Sequence, residues 1–251
     1  MKVFIFTGPS LPRPAARALW REPAYLAPVA QGDVYRVASR KPAAIGIIDG
    51  FFERLPAVWH KEILWALSKG IRVYGSSSMG ALRAAELSAY GMIGVGSVYE
   101  GYASGALTDD DEVTLAHAPA ANKYRAVSEP MVNIRCTLAQ AAAAAIVSQP
   151  TADALARIAK ALFYPLRNYE KIIEEGLRAH LPAEELRNLR AWLPTGRIDQ
   201  KRLDAIALLT RMREDLRHHS PAQPPNFEFQ NTLFWVRLRR NSRASRSRRK
   251  S

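Results

Sequence analysis

A single cysteine, Cys136, among 251 residues excludes an intrachain disulfide and gives no sign of an oxidising compartment, so a reduced, cytoplasmic protein is expected. Long apolar runs are missing too. The most continuous, residues 141–147, is far short of the roughly 20 residues that a membrane helix needs. The opening Met1-Lys2-Val3-Phe4-Ile5-Phe6-Thr7 stops at Gly8-Pro9 with no small-residue cleavage pattern behind it, so a signal peptide is not expected, nor is a membrane as a partner. No phosphate-loop signature occurs, which places no ATP chemistry on this chain. What is present, 48% hydrophobic and 24% charged residues, is the balance of a folded globular protein.

The net charge of +13 is unevenly spread. Arginines 237, 239, 240, 243, 246, 248 and 249 and Lys250 have no acidic residue among them, and without these eight the chain would carry +5. Interleaved serines make this a solvated tail, with attraction to nucleic acid or an acidic protein as the alternative. Nucleic acid is not the favoured partner.

Residues 3–7, 44–48 and 71–74 are short, apolar and rich in β-branched or aromatic types, as buried parallel strands are. Helical patterns follow the second and third, over about 56–69 and from Met79 to Leu87. The expectation is an α/β fold, a parallel sheet with flanking helices, followed by an α-helical C-terminal region. The boundaries expected are an α/β core at 1–135, a helical region at 136–220, and a proline linker with a basic, disordered tail at 221–251. The glycine-rich span 91–105 and the acidic run Asp109-Asp110-Asp111-Glu112 read as loops that cover or edge the site, the acidic run being a solvated loop or helix start.

In a parallel sheet, ligands gather at the carboxyl ends of the strands. That rule collects Gly8, Asp49 and the turn Gly75-Ser76-Ser77-Ser78-Met79-Gly80 at one edge. Residues 76–80 match the nucleophile elbow G-x-S-x-G with serine in place of the first glycine, which makes Ser78 the candidate nucleophile. Ser76, Ser77, Gly80, Arg83 and Gly8 are candidate substrate- or anion-binding positions, because a turn that opens a helix presents amides and a positive dipole end. A nucleophilic serine needs a base; of the five histidines His60 and His117 are the best placed, and Asp49 is an orienter, base or substrate acceptor. No metal site is assigned, since four consecutive acids cannot all face one ion. Cys136 reads as a buried structural thiol.

Phe4-Ile5-Phe6-Thr7-Gly8-Pro9-Ser10, Gln31-Gly32-Asp33-Val34-Tyr35, Ile45-Gly46-Ile47-Ile48-Asp49-Gly50, Val58-Trp59-His60-Lys61-Glu62-Ile63 and the segment from Gly75 to Leu87, with Gly91-Met92 and Asp109-Asp110-Asp111-Glu112-Val113, together resemble the TfuA-like family. The resemblance covers about residues 1–135, with no such motif in the helical remainder. It implies an accessory role beside a YcaO-type enzyme, which uses ATP to activate a backbone amide oxygen that sulfur then replaces. ATP and magnesium would sit on that partner and no cofactor on this chain. The implied partners are a YcaO-family protein and a substrate peptide or protein. The residues of the serine turn themselves suggest one option: the turn attacks or polarises an activated acyl-sulfur group, such as the C-terminal thiocarboxylate of a sulfur-carrier protein, and releases sulfide to the YcaO partner. The alternatives are a free-standing serine hydrolase and a non-catalytic module that binds a peptide or nucleic acid.

Overall fold

The computed structural model describes residues 2–51, 55–218 and 226–237. The chain packs as two compact units, one of Met1–Ala106 with Asp204–Ser251, the other of Leu107–Leu203.

The first unit is built on five parallel strands, β1 (Val3–Phe6), β2 (Ala24–Leu26), β3 (Ala44–Ile47), β4 (Arg72–Ser76) and β5 (Ile93–Val95), in the order β2-β1-β3-β4-β5. Helices α1 (Arg13–Leu19), α2 (Asp33–Ala38), α3 (His60–Ser68), α4 (Met79–Leu87) and α5 (Ser97–Ala103) alternate with the strands. β1 and β3 pair in register from Val3 with Ala44 to Phe6 with Ile47. Strand order reverses between them, and that is where the sheet opens a crevice at its carboxyl edge.

Because successive side chains of a strand point to opposite faces, β1 feeds two cores. Phe4 and Phe6 join Ile45, Ile47, Val34, Val37, Ile63 and Met79 on one side. Val3 and Ile5 meet Ala16, Trp20 and Tyr25 on the other, together with Ala205, Leu208, Leu209, Met212 and Leu216 of α10 (Gln200–Arg217). These five residues recur at helical spacing and form one apolar stripe. From Asp204 onward, α10 therefore serves the sheet and not a separate helical region.

Two strands escape the sequence reading. β2 and β5 have three residues each, and β5 carries Gly94 at its centre. A Cβ on Gly94 would lie 2.1 Å from the ring of Tyr99, so glycine is needed for α5 to lie close. The span 91–105, expected as loops, thus holds β5 and α5.

Glu62, fully buried at the start of α3, accepts amide hydrogen bonds from Gly32 (2.7 Å), Tyr35 (3.1 Å) and Trp59 (3.3 Å) and so closes the first turns of α2 and α3. Burial outweighs those bonds and pushes its pKa up to about 7.

The second unit is helical: α6 (Met131–Ala143), α7 (Gln149–Ala161), α8 (Tyr169–Arg178), α9 (Ala183–Gly196) and the first turn of α10. Its core joins Ile134, Leu138, Leu155, Ile172, Leu186 and Leu189. No described helix is long and apolar enough to cross a membrane.

Within 221–251, expected as linker and disordered tail, residues 226–237 are packed as part of the first unit. Trp235 is fully buried against Tyr35, Trp65 and Phe229, with ring centroids 5.3–5.8 Å apart, and Phe227 meets the Tyr90 ring at 5.5 Å. Aromatic area inside a basic, proline-rich stretch is what holds it down. The prolines at 221, 224 and 225 and the arginines beyond 237 lie outside the described residues.

Candidate functional site

β4 ends at Ser76 and α4 begins at Met79, so the chain reverses within two residues. Two glycines make this possible. A Cβ on Gly75 would lie 2.1 Å from the carbonyl oxygen of Gly80, and one on Gly80 only 1.8 Å from the carbonyl oxygen of Ile47. The first turn of α4 therefore rests directly on the backbone of β3, with the Gly80 N–H donating to the Ile48 carbonyl at 3.3 Å.

The three serines have three different environments. Ser76 is fully buried and donates its hydroxyl to the Asp204 carbonyl at 2.9 Å, which fixes the end of β4 to α10. Ser77 is also fully buried and holds φ at 65°, a left-handed conformation that is uncommon for a residue with a Cβ. The Ser78 N–H donates to the Ser76 carbonyl at 2.7 Å, which makes Ser77 the apex of a strained γ-turn. Strain of this kind persists where the surrounding packing over-determines it, and such positions cluster at active sites. Ser78 is the partly exposed one. It is the N-cap of α4, yet its hydroxyl caps no amide and bonds no group among the described residues. The Met79 N–H is likewise without a partner among the described residues and lies at the positive end of the helix.

The neighbouring carboxylate is Asp49, 2% exposed just past β3. Its Oδ2 accepts from the N–H of Gly8 (2.8 Å) and of Ser10 (3.1 Å), and its Oδ1 accepts from the Ser10 hydroxyl at 2.6 Å. A Cβ on Gly8 would sit 2.6 Å from Pro28 Cγ, so only glycine lets the loop after β1 come this close. Asp49 thus knits the loops at the strand-order reversal, and both its neighbours touch the start of α4: Ile48 through the Gly80 amide and Gly50 by packing on Met79. Gly8, Asp49, Gly80 and the serines share one sheet edge.

His60 and Arg83 turn elsewhere. His60 Nε2 lies 2.7 Å from Glu86 Oε2, and Arg83 donates to the same oxygen at 2.7 Å and to the Val58 carbonyl at 3.1 Å. Burial raises the pKa of Glu86, but the hydrogen bond from His60 and the charge of Arg83 outweigh it and leave the carboxyl below its ordinary value. The histidine expected as base is therefore bonded to a carboxylate on α4 and to none of the serines. Glu86, like Asp204, sits in an ordinary helical pattern, and only tertiary contact reveals either as a partner. Glu53, which the strand-end rule gathers with Asp49 at this edge, lies outside the described residues.

In the second unit, the acidic run is not a solvated loop. Asp110–Glu112 form one 3-10 turn, and Glu112 is 3% exposed. Carboxylates of Asp109, Asp111 and Glu112 converge within 4.8 Å, close enough to hold a cation, but the Lys160 ammonium bonds all three. Arg135 makes two 2.9 Å bonds to Glu112, and Arg167, 2% exposed, meets Asp111 at 2.6 Å. Burial raises the pKa of Asp111 and of Glu112, but these cations outweigh it and hold both carboxyls below their ordinary values. His117, in a bridge with Ala126, lies at 2.9 Å from the Ala118 carbonyl and packs edge-on to Tyr124. Cys136 is partly exposed on α6, not buried.

Residues 49–168 match the family model of the TfuA-like proteins. No curated protein matches the chain. The match starts at Asp49 and takes in the serine turn. It continues past residue 135 through α6 and α7, so the helical region shares the family pattern and contains Arg135, Lys160 and Arg167, the cations that neutralise the acidic run.

Proposed function

We propose, for a chain that belongs to the TfuA-like family, that the serine turn releases sulfur for a YcaO partner. The family as a whole partners YcaO enzymes in thioamide formation. The observation that supports the finer reading is the state of Ser78: a partly exposed hydroxyl that bonds no group among the described residues, beside a Met79 amide equally without a partner among them, on a turn held by a strained neighbour.

The substrate that suits this turn is a thiocarboxylate at the end of a sulfur-carrier protein. The Ser78 Oγ attacks the carbonyl carbon, and the Met79 N–H with the α4 dipole stabilises the developing oxyanion. The carbon–sulfur bond breaks, the serine proton leaves with sulfur as hydrosulfide, and the chain keeps an acyl ester. Water then cleaves the ester to a carboxylate and restores the hydroxyl. Asp49 organises the edge on which the carrier's extended end would lie. Hydrosulfide passes to the YcaO partner, where ATP and magnesium belong and where the peptide amide oxygen is replaced.

Reconstitution with the YcaO partner, ATP, a target peptide and the thiocarboxylated carrier tests this. Ser78→Ala should lower thioamide formation by about a hundredfold, the effect of about 3 kcal/mol at the reacting centre. Excess free sulfide should restore much of it. Near-normal thioamidation by Ser78→Ala with the carrier-bound sulfur would overturn the assignment.

A further inference from the structure

The turn at residues 233–237 combines one buried residue with three exposed ones of the same character. Trp235 is fully buried, whereas Leu233 is 80%, Phe234 69% and Val236 51% exposed. Soluble surfaces carry single exposed apolar residues routinely, but three in four positions of one turn make a patch, and patches mark interaction sites. The adjoining C-terminal stretch is equally one-sided in charge. From Arg237 onward there are seven arginines and a lysine, and no acidic residue occurs after Glu228. This stretch supplies eight of the chain's thirteen net charges.

We infer that residues 233–237, with the arginines after them, bind the surface of an anionic lipid bilayer. Leu233, Phe234 and Val236 would enter the boundary between headgroups and acyl chains, while the guanidinium groups meet lipid phosphates. Trp235 fixes the presentation, since its ring faces Tyr35, Trp65 and Phe229 and leaves the other apolar side chains outward. Charge complementarity selects this occupant over the others. Nucleic acid uses the cations and can stack an aromatic ring, but gives Leu233 and Val236 nothing to bury against. A helix-binding protein groove reads anchors over two turns or more, and here one turn carries them all. The expectation that a membrane is no partner rested on the lack of a spanning segment, and surface binding needs none. The inference is independent of the chemistry at Ser78.

Sedimentation of the full chain with vesicles of phosphatidylcholine, alone or with about a third phosphatidylglycerol, tests it. Partitioning to the anionic vesicles should exceed that to neutral ones by ~100-fold or more, the effect of two or three cationic side chains at such a surface, and should fall with salt. The double substitution Leu233→Ser with Phe234→Ser should lower it roughly tenfold at unchanged charge. Truncation after Arg237 should abolish the preference for anionic lipid. Equal binding to both vesicles would overturn the inference. So would anionic binding indifferent to the double substitution, which assigns it to the arginines alone. Failure to bind either vesicle, alongside tail-dependent binding of a single-stranded RNA, would move the surface to nucleic acid and also overturn it.

Discussion

Gly80→Ala probes the contact that aims the serine turn. The new methyl would lie 1.8 Å from the Ile47 carbonyl oxygen and 2.6 Å from its carbon, both backbone atoms of a strand hydrogen-bonded to β1 and β4. Neither can retreat, so α4 must move by more than an ångström. Alanine's better helix propensity returns about 1 kcal/mol. The lost Gly80–Ile48 hydrogen bond removes about as much. What remains is the overpacking cost, about 3 kcal/mol for a contact with rigid backbone. For a unit of this size, that lowers the melting temperature by roughly 6–12 °C. The displacement also lifts the Met79 amide from its place, so sulfur release should drop even at temperatures where the variant is folded. Calorimetry and the thioamidation assay read the two effects. A melting temperature within about 2 °C of wild type, with normal activity, would refute the close-contact reasoning.

Other positions give independent checks. Between about pH 4.5 and 7, folded Glu62 holds a proton that the unfolded chain has lost, so this group's contribution to stability falls as pH rises through that window. Glu62→Gln should remove that slope, about 3 kcal/mol in all, from melts taken between pH 4.5 and 8; an unchanged slope would contradict it. Arg167→Ala leaves Asp111 with Lys160 alone and takes the guanidinium donor from the carbonyls of Ala159 and Leu162, and should cost about 2–3 kcal/mol by denaturant titration. Trp235→Ala should cost about 3 kcal/mol or free residues 226–237 for proteolysis, whereas truncation after Arg237 should leave the melting temperature within about 1 °C.

What could be read without coordinates was what local pattern encodes. The apolar runs that became β1, β3 and β4 are each dense enough to stand out, and the rule that ligands meet at strand ends placed Gly8, Asp49 and the serines on one edge. β2 and β5, at three residues each, fall below any periodicity. The stripe on α10 shows a buried face but not which core takes it, and packing on the sheet assigns residues 204–217 to the first unit. At the turn, the elbow pattern marked Ser78 but not the strained backbone of Ser77, since φ follows from how β4 and α4 are jammed together by Gly75 and Gly80. The partners of His60, Ser76 and Lys160 are distant in sequence, 26 to 128 residues away, and no spacing rule reaches them.

The most direct measurement is sulfide release from a thiocarboxylated carrier by this chain alone, without the YcaO enzyme, ATP or peptide, with the carrier's mass followed in parallel. Hydrosulfide should appear in step with conversion of the carrier's thiocarboxylate to a carboxylate, at a rate about a hundredfold lower for Ser78→Ala with an unchanged melting temperature. Release by Ser78→Ala at the wild-type rate, or no release by the wild-type chain under conditions where the YcaO partner draws sulfur from the same carrier unaided, would contradict that expectation.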